Sequence, residues 1–217
     1  MLSSDPNSRL EHSIAASYSA AAAAYADTLG NELAGKPMDR RLLTLLADRV
    51  DQSGVICDLC CGPGQIAAYL ATMHARVMGV DISPGMAREA SIRHRDIPFC
   101  VGNIRTLTPG TNWCGIACFY GIVHLDEEGL QESLEAMARA LKHGGLLLLA
   151  FHCGNEEKAV NSLFGVDVDL KFRYFPLSSV LSAVRDAGFS VELALERAPY
   201  PEAEYPSRRG YILANLR

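Results

Sequence analysis

Short apolar runs alternate with helix-period stripes along most of the chain. Ile14, Tyr18, Tyr25 and Leu29 fall on one face at helical intervals with alanines between them, and Gly30 closes that helix. Pro37 opens a second helix whose buried stripe is Met38, Leu42, Leu43, Leu46 and Val50. Val55-Ile56-Cys57-Asp58-Leu59 reads as a buried strand, followed by the turn Cys60-Cys61-Gly62-Pro63-Gly64 and a helix through Ile66, Ala67 and Leu70. The pattern repeats: a strand at Val77-Met78-Gly79-Val80 ending at Asp81, then a helix capped by Ser83-Pro84 and running through Met86, Ala87 and Ala90. Strands are expected at Phe99-Cys100-Val101 and Ile116-Ala117-Cys118-Phe119. A helix follows through Leu130, Leu134, Met137, Ala138 and Leu141, is broken at Gly144-Gly145, and leads into a strand from Leu146 to Phe151. Residues 153–175 lack this rhythm apart from alternation at Lys171-Phe172-Arg173-Tyr174. Val180, Leu181 and Val184 mark a further helix closed by Gly188, and strands at Val191–Leu195 and Tyr211–Leu213 end the series.

Apolar strands alternating with helices predict an α/β fold with a largely parallel sheet covered on both faces. No internal repeat or linker divides the chain, so residues 1–217 read as one domain, with residues 1–52 as an N-terminal helical cover and 153–175 as an insertion. No run approaches the roughly 20 apolar residues of a membrane span. The net charge is −5, without a basic stripe, which argues against a nucleic-acid partner. The seven cysteines are odd in number and follow no secretory signal, so reduced thiols in a cytoplasmic protein are expected. Cys57-x-x-Cys60 has metal-ligand spacing, but no second cysteine pair or histidine cluster completes a site, and no metal is expected.

The chemistry concentrates at Asp58–Gly64, where a strand ends and a helix begins, the usual ligand position in an open α/β sheet. Asp81, at the end of the next strand, is placed to accept hydrogen bonds from ribose hydroxyls. Two cofactor classes fit. Gly62-Pro63-Gly64-Gln65-Ile66-Ala67 matches the dinucleotide fingerprint, which makes an NAD(P)-dependent oxidoreductase one reading. Asp58 discriminates, because a carboxylate beside the turn repels a pyrophosphate and suits an α-ammonium group. A non-catalytic cofactor-binding protein is a third reading.

Five segments in order resemble the class I S-adenosylmethionine-dependent methyltransferases. They are Val55–Gly64, Gly79–Ser83 followed by Met86, Val101–Ile104, Leu141–Leu149 with its Gly144-Gly145 turn, and Ala187-Gly188-Phe189. The resemblance implies a Rossmann-like seven-stranded sheet whose antiparallel last strand is inserted between the fifth and sixth. It implies S-adenosyl-L-methionine as cofactor, with Asp58, Cys60, Gly62 and Gly64 near its methionine portion. Asp81 would bind the ribose, Ile82 and Met86 would flank the adenine, and Asn103 and Ile104 would meet the adenine edge. Two positions depart from the family pattern: Cys60 stands where the first glycine is usual, and Asn103 where an aspartate is. The motifs of planar-amine and metal-dependent catechol-type members are absent, and Gly115 stands where an acidic residue often begins the fourth strand.

The acceptor is expected to be a small molecule methylated at oxygen or nitrogen. His124, just past the fourth strand, is the candidate base, with local hydrogen bonding as the competing role. Tyr18 and Tyr25 read either as a lid over the cofactor or as a packed aromatic stripe. Lys36 reads as a partner of the cofactor carboxylate or as an exposed lysine. His152, Arg208 and Arg209 are the candidate acceptor contacts; two arginines in a loop are otherwise solvated or paired with nearby glutamates.

Overall fold

The structure is a computed structural model that describes residues 6–74 and 76–217. Residues 1–5 of the expected N-terminal cover lie outside the described residues.

Helix α1 (Pro6–Leu29) and helix α2 (Pro37–Arg49) precede the sheet, joined by a short 3₁₀ turn at Glu32–Gly35. Helix α1 begins well before Ile14, because residues 7–13 contain neither proline nor glycine to stop it. Strand β1 (Ile56–Leu59), helix α3 (Gln65–Ala71), strand β2 (Val77–Asp81), helix α4 (Pro84–Arg93) and strand β3 (Phe99–Val101) follow the predicted alternation. Strand β4 (Trp113–Phe119), helix α5 (Glu127–Ala140) and strand β5 (Leu141–Cys153) complete the central part. Helix α5 has the full set of end signals: Asp126 Oδ1 accepts from Gly129 N at 2.8 Å, Glu127 and Glu128 occupy the first turn, and Arg139 the last.

Leu141 was expected on the helix and lies instead on β5, paired with Trp113. Strand β5 thus starts before the glycine pair, which interrupts its ladder rather than ending the helix. Residues 153–175 form a second correction to the reading from rhythm alone. They contain an antiparallel hairpin of β6 (Glu157–Leu163) and β7 (Val166–Arg173), a separate two-stranded sheet. Helix α6 (Leu177–Asp186) and strands β8 (Phe189–Arg197) and β9 (Arg208–Leu216) end the chain.

The seven-stranded sheet has the order β3-β2-β1-β4-β5-β9-β8. Strands β3, β2, β1, β4 and β5 are parallel to one another, and β9 is antiparallel to both of its neighbours, β5 and β8. The expected Rossmann-like sheet with its inserted last strand is therefore present. Strand periodicity divides the core into two layers. Leu147, Leu149 and Phe151 face one side with the α5 residues Leu134 and Met137. Leu146, Leu148 and Ala150 face the other with Leu42, Leu43 and Leu46 of α2. Each fully buried leucine there contributes about 1.5–3 kcal/mol. Both layers fix the strand ends, and the loops at the carboxyl ends of β1, β2, β4 and β5 carry the site.

Candidate active site

The turn after β1 begins with Cys60 in the left-handed region (φ 59°), followed by Gly62 (φ 53°) and Gly64 (φ 86°). Gly64 precedes α3 and cannot be replaced without strain: a β-carbon there would lie 2.8 Å from Phe99 Cζ. The turn is held from below by two carboxylates. Asp58 Oδ2 accepts from Ala67 N at 2.8 Å, and Asp81 Oδ2 accepts from Gly62 N at 2.8 Å while its Oδ1 accepts from Ser83 N at 2.8 Å. Both carboxylates are buried. Burial pushes the Asp58 carboxyl up to about 8, and the Ala67 hydrogen bond opposes this only in part. Burial raises Asp81 as well.

Two adjoining cavities open above this turn and share Tyr18, Tyr25, Cys60, Gly62, Phe119 and Tyr120 in their walls. The smaller, about 290 Å³, is lined by Asp81, Ile82, Met86, Asn103 and Ile104. These are the residues expected around a nucleoside. Asn103 Oδ1 accepts from Arg105 N at 2.9 Å, so the amide oxygen also shapes its own turn. The larger cavity, about 540 Å³, starts at Asp58 and Gly62 and extends beneath the β6–β7 hairpin. Gln65 Nε2 donates to Glu32 at 2.9 Å, leaving Gln65 Oε1 buried without a partner. Lys36 is buried, bonds the same Glu32 carboxylate and lies over the Tyr120 ring at 5.2 Å. A carboxyl, an orphaned acceptor and an ammonium donor thus meet at one end of the cavity. That set fits the ammonium and carboxylate of an amino-acid tail.

His124 lines the smaller cavity with both ring nitrogens engaged. Its Nδ1 lies 3.0 Å from the Lys171 carbonyl, which can only accept, so Nδ1 carries the hydrogen. Its Nε2 then accepts from the Tyr18 hydroxyl at 2.9 Å. Burial holds the ring neutral, with its pKa pushed down to about 4. Tyr18 and Tyr25 both project from α1 into the two cavities and meet edge to face at 6.2 Å. His152 lies in the larger cavity, stacked on Tyr174 at 4.9 Å, with Nδ1 2.6 Å from Ser207 Oγ. Burial and the Arg209 guanidinium hold its pKa at about 3.

Arg209 is buried at the wall of the larger cavity, where its guanidinium donates to the Ser207 carbonyl at 2.6 Å and the Tyr205 carbonyl at 3.0 Å. Arg208 points the other way. It is exposed, paired with Glu196 and outside both cavities, because neighbouring residues of a strand face opposite sides. Gly64 also lines neither cavity and acts only through the turn. The chain reading missed Tyr120, Lys158, Tyr174 and Gln65. The alternation at Lys171–Tyr174 was the available signal for Tyr174, and the position directly after a parallel strand was the signal for Tyr120.

Residues 56–145 match the family described as "Methyltransferase domain". The uncharacterized methyltransferase sll0829 of Synechocystis sp. is 32% identical over 95 residues, 43% of this chain and 45% of that protein. The chain therefore matches less than half the length of this curated relative. Among solved structures, the 1,6-didemethyltoxoflavin-N1-methyltransferase of Burkholderia thailandensis, with bound 1,6-didemethyltoxoflavin and S-adenosylhomocysteine, superposes with a TM-score of 0.74. It is 16% identical and covers 99% of this chain and 91% of its own. The DhpI–SAH complex gives a TM-score of 0.74 at 19% identity, covering 94% and 96%. The fold is shared with these methyltransferase structures, and the resemblance to the class I S-adenosylmethionine-dependent methyltransferases seen in the sequence is borne out.

Proposed function

We propose that this protein binds S-adenosyl-L-methionine and transfers its methyl group to an oxygen or nitrogen of a small-molecule acceptor. The observation that carries this reading is the pairing of Asp58 with the unpartnered Gln65 Oε1 at the turn, continuous with a second chamber of about 540 Å³. Two acceptors there favour an ammonium-bearing tail and disfavour the pyrophosphate of NAD(P). Bound S-adenosylmethionine supplies a methyl carbon made electrophilic by the attached sulfonium. The chain's own work is binding and alignment. Asp81 holds the ribose, Asp58 and Gln65 take the ammonium, Lys36 faces the carboxylate, and Ile82, Met86, Asn103 and Ile104 enclose the adenine. Cys60 and Gly62 floor the junction of the two chambers. Residues 1–52 serve as a cover and 153–175 as the acceptor-side wall of one domain, and α1 brings Tyr18 and Tyr25 over the junction to exclude water.

His124 acts in this reading through Tyr18, whose hydroxyl it orients. With a pKa near 4 its ring is neutral at neutral pH and too weak a base to take the acceptor's proton, so the acceptor arrives already nucleophilic. His152 and Arg209 face the acceptor, and Arg208 has no part. Seven free thiols suit a reducing cytoplasm. Among the described residues no helix is long and apolar enough to cross a membrane. Calorimetry with S-adenosylmethionine and with NAD(P) tests the assignment. We expect binding of the former only; binding of NAD(P) alone overturns it. His124→Ala and Tyr18→Phe should slow methyl transfer by similar factors while leaving cofactor affinity within about threefold, since neither touches the tail.

A further inference from the structure

The acceptor end of the larger cavity has a composition of its own. Tyr120, His152 and Tyr174 form a column of rings, with centroids 5.0 Å apart at the first step and 4.9 Å at the second. Lys158 Nζ continues the column, 5.0 Å from the Tyr174 centroid and 5.2 Å from that of Tyr205. Arg209 and Lys36 flank Tyr120 at 5.5 Å and 5.2 Å. Phe164 and Phe172 of the hairpin cover the same space.

The charges around this chamber are not balanced. Glu204 is fully buried and consumed: it accepts from Arg197 at 2.6 and 2.8 Å and from Tyr200 N at 2.8 Å, with Arg209 Nε 3.7 Å away. Glu32 is held by Lys36 and Gln65. His152 is neutral at physiological pH. Among the described residues no carboxylate stands within 4.0 Å of Lys158 Nζ; its neighbours are the Tyr174 and Tyr205 rings, the Tyr205 hydroxyl and, farther off, the Glu156 carboxylate. The Tyr120 hydroxyl is buried in the shared wall without a hydrogen-bond partner, and so is Arg209 Nε. The chamber therefore offers aromatic surface and an ammonium with no carboxylate in direct contact.

We propose that the acceptor is a planar aromatic anion, a phenolate or aryl carboxylate, whose ring lies among the tyrosine, histidine and phenylalanine side chains and whose negative charge is favoured by Lys158 and Arg209. This rests on the methyltransferase reading and narrows it. An aromatic acceptor matches the ring faces through stacking, and its negative charge complements Lys158 and Arg209. A cationic acceptor meets like charge from both. An acceptor that is already an oxyanion also needs no base, in keeping with two histidines that stay neutral. Its oxygen forms the new bond to the methyl carbon, the carbon–sulfur bond breaks, and a neutral thioether leaves with no proton to place.

The test is binding, measured by calorimetry on the full chain saturated with S-adenosylhomocysteine. The probes are 2-naphthoate and 2-naphthol as the two anion sources, 2-naphthylmethylamine as the cationic match and decahydro-2-naphthoate as the saturated match. We expect naphthoate, or naphthol with proton release, to bind at least about tenfold tighter than either match, a difference of about 1.4 kcal/mol. Lys158→Gln should reduce the anion preference by about fivefold or more, and Lys158→Arg should keep it. Tyr174→Leu should reduce the preference over the saturated acid while leaving the preference over the cation. Equal binding of all four probes to a protein that binds S-adenosylhomocysteine overturns this inference and leaves the proposed function standing. Failure to bind S-adenosylhomocysteine overturns the proposed function itself.

Discussion

Cys60 shows how one residue departs from a family pattern and keeps its geometry. A side chain in the left-handed region costs about 1 kcal/mol, and Cys60 accepts that conformation at φ 59°. Room for its sulfur comes from Gly121 after β4: a β-carbon at 121 would lie 2.7 Å from Cys60 Cβ and 2.8 Å from its Sγ. The two positions share one volume. Gly121→Ala should therefore destabilise the fold by about 1–3 kcal/mol, and adding Cys60→Gly should recover part of the loss, the rest being a contact of 2.8 Å with Cys118 Sγ. Denaturant unfolding of the double-mutant cycle reads the coupling, and additive losses would count against a shared volume. Asp58 gives a second residue-scale expectation. Its carboxyl titrates near 8 when folded and near 3.9 when unfolded. The folded state then keeps a proton that the unfolded state has lost, so this stabilisation is complete below pH 4 and disappears as pH rises through 8. His124 and His152 act oppositely but only below about pH 6.5, where the unfolded chain protonates. Between pH 7 and 8.5 the melting temperature should thus fall, with a slope of at most about 1.4 kcal/mol per pH unit from Asp58. Asp58→Asn should flatten the curve, and S-adenosylmethionine, by placing an ammonium beside the carboxylate, should do the same.

The β6–β7 hairpin is the element that sequence periodicity conveyed least. Strand β7 alternates throughout, with Val166, Val168, Leu170 and Phe172 against Asp167, Asp169, Lys171 and Arg173, so its signal began earlier than the Lys171–Tyr174 stretch; β6, with Glu157-Lys158 and Asn161-Ser162 around two apolar residues, carries none. Its turn is Phe164-Gly165, both with positive φ (52° and 82°), a two-residue connection that asparagine and glycine usually fill. Phenylalanine in that place gave no turn signal. Its ring meets Tyr25 of α1 edge to face at 5.4 Å, which links the hairpin to the cover. Phe164→Asn should relieve the backbone by about 1 kcal/mol while removing that contact. The expected result is unchanged or higher stability with faster release of cofactor, seen in stopped-flow displacement; slower release would refute the link. By contrast, the helices and sheet strands were readable because each buries a complete stripe or run. The displaced boundary at Leu141 arose because a buried leucine suits the end of α5 and the start of β5 equally.

At the scale of the whole molecule, the parallel sheet and its two acidic strand ends were legible from sequence, since local spacing encodes them. The larger chamber was legible only in part: His152 and Arg209 were read from the sequence, whereas Tyr120, Lys158 and Tyr174 join them only through the fold. The cover is assembled in the same distributed way. Ser19 Oγ lies 2.8 Å from Ser83 Oγ and accepts from Gly85 N at 3.1 Å, while Ser17 Oγ meets the Asp169 backbone at 3.3–3.4 Å. These hydroxyls tie α1 to α4 on one side and to β7 on the other, at about 1 kcal/mol per contact, beside the Asp27–Arg93 and Glu11–Arg105 ion pairs, the Tyr18–His124 hydrogen bond and the buried Ile14, Ala21, Ala22 and Ala26. Helix α1 forms one wall of both chambers, so a ligand held there can leave only when these contacts part together. For the proposed reaction this makes departure, not bond-making, the slow event, and rapid mixing should show a first turnover faster than those that follow.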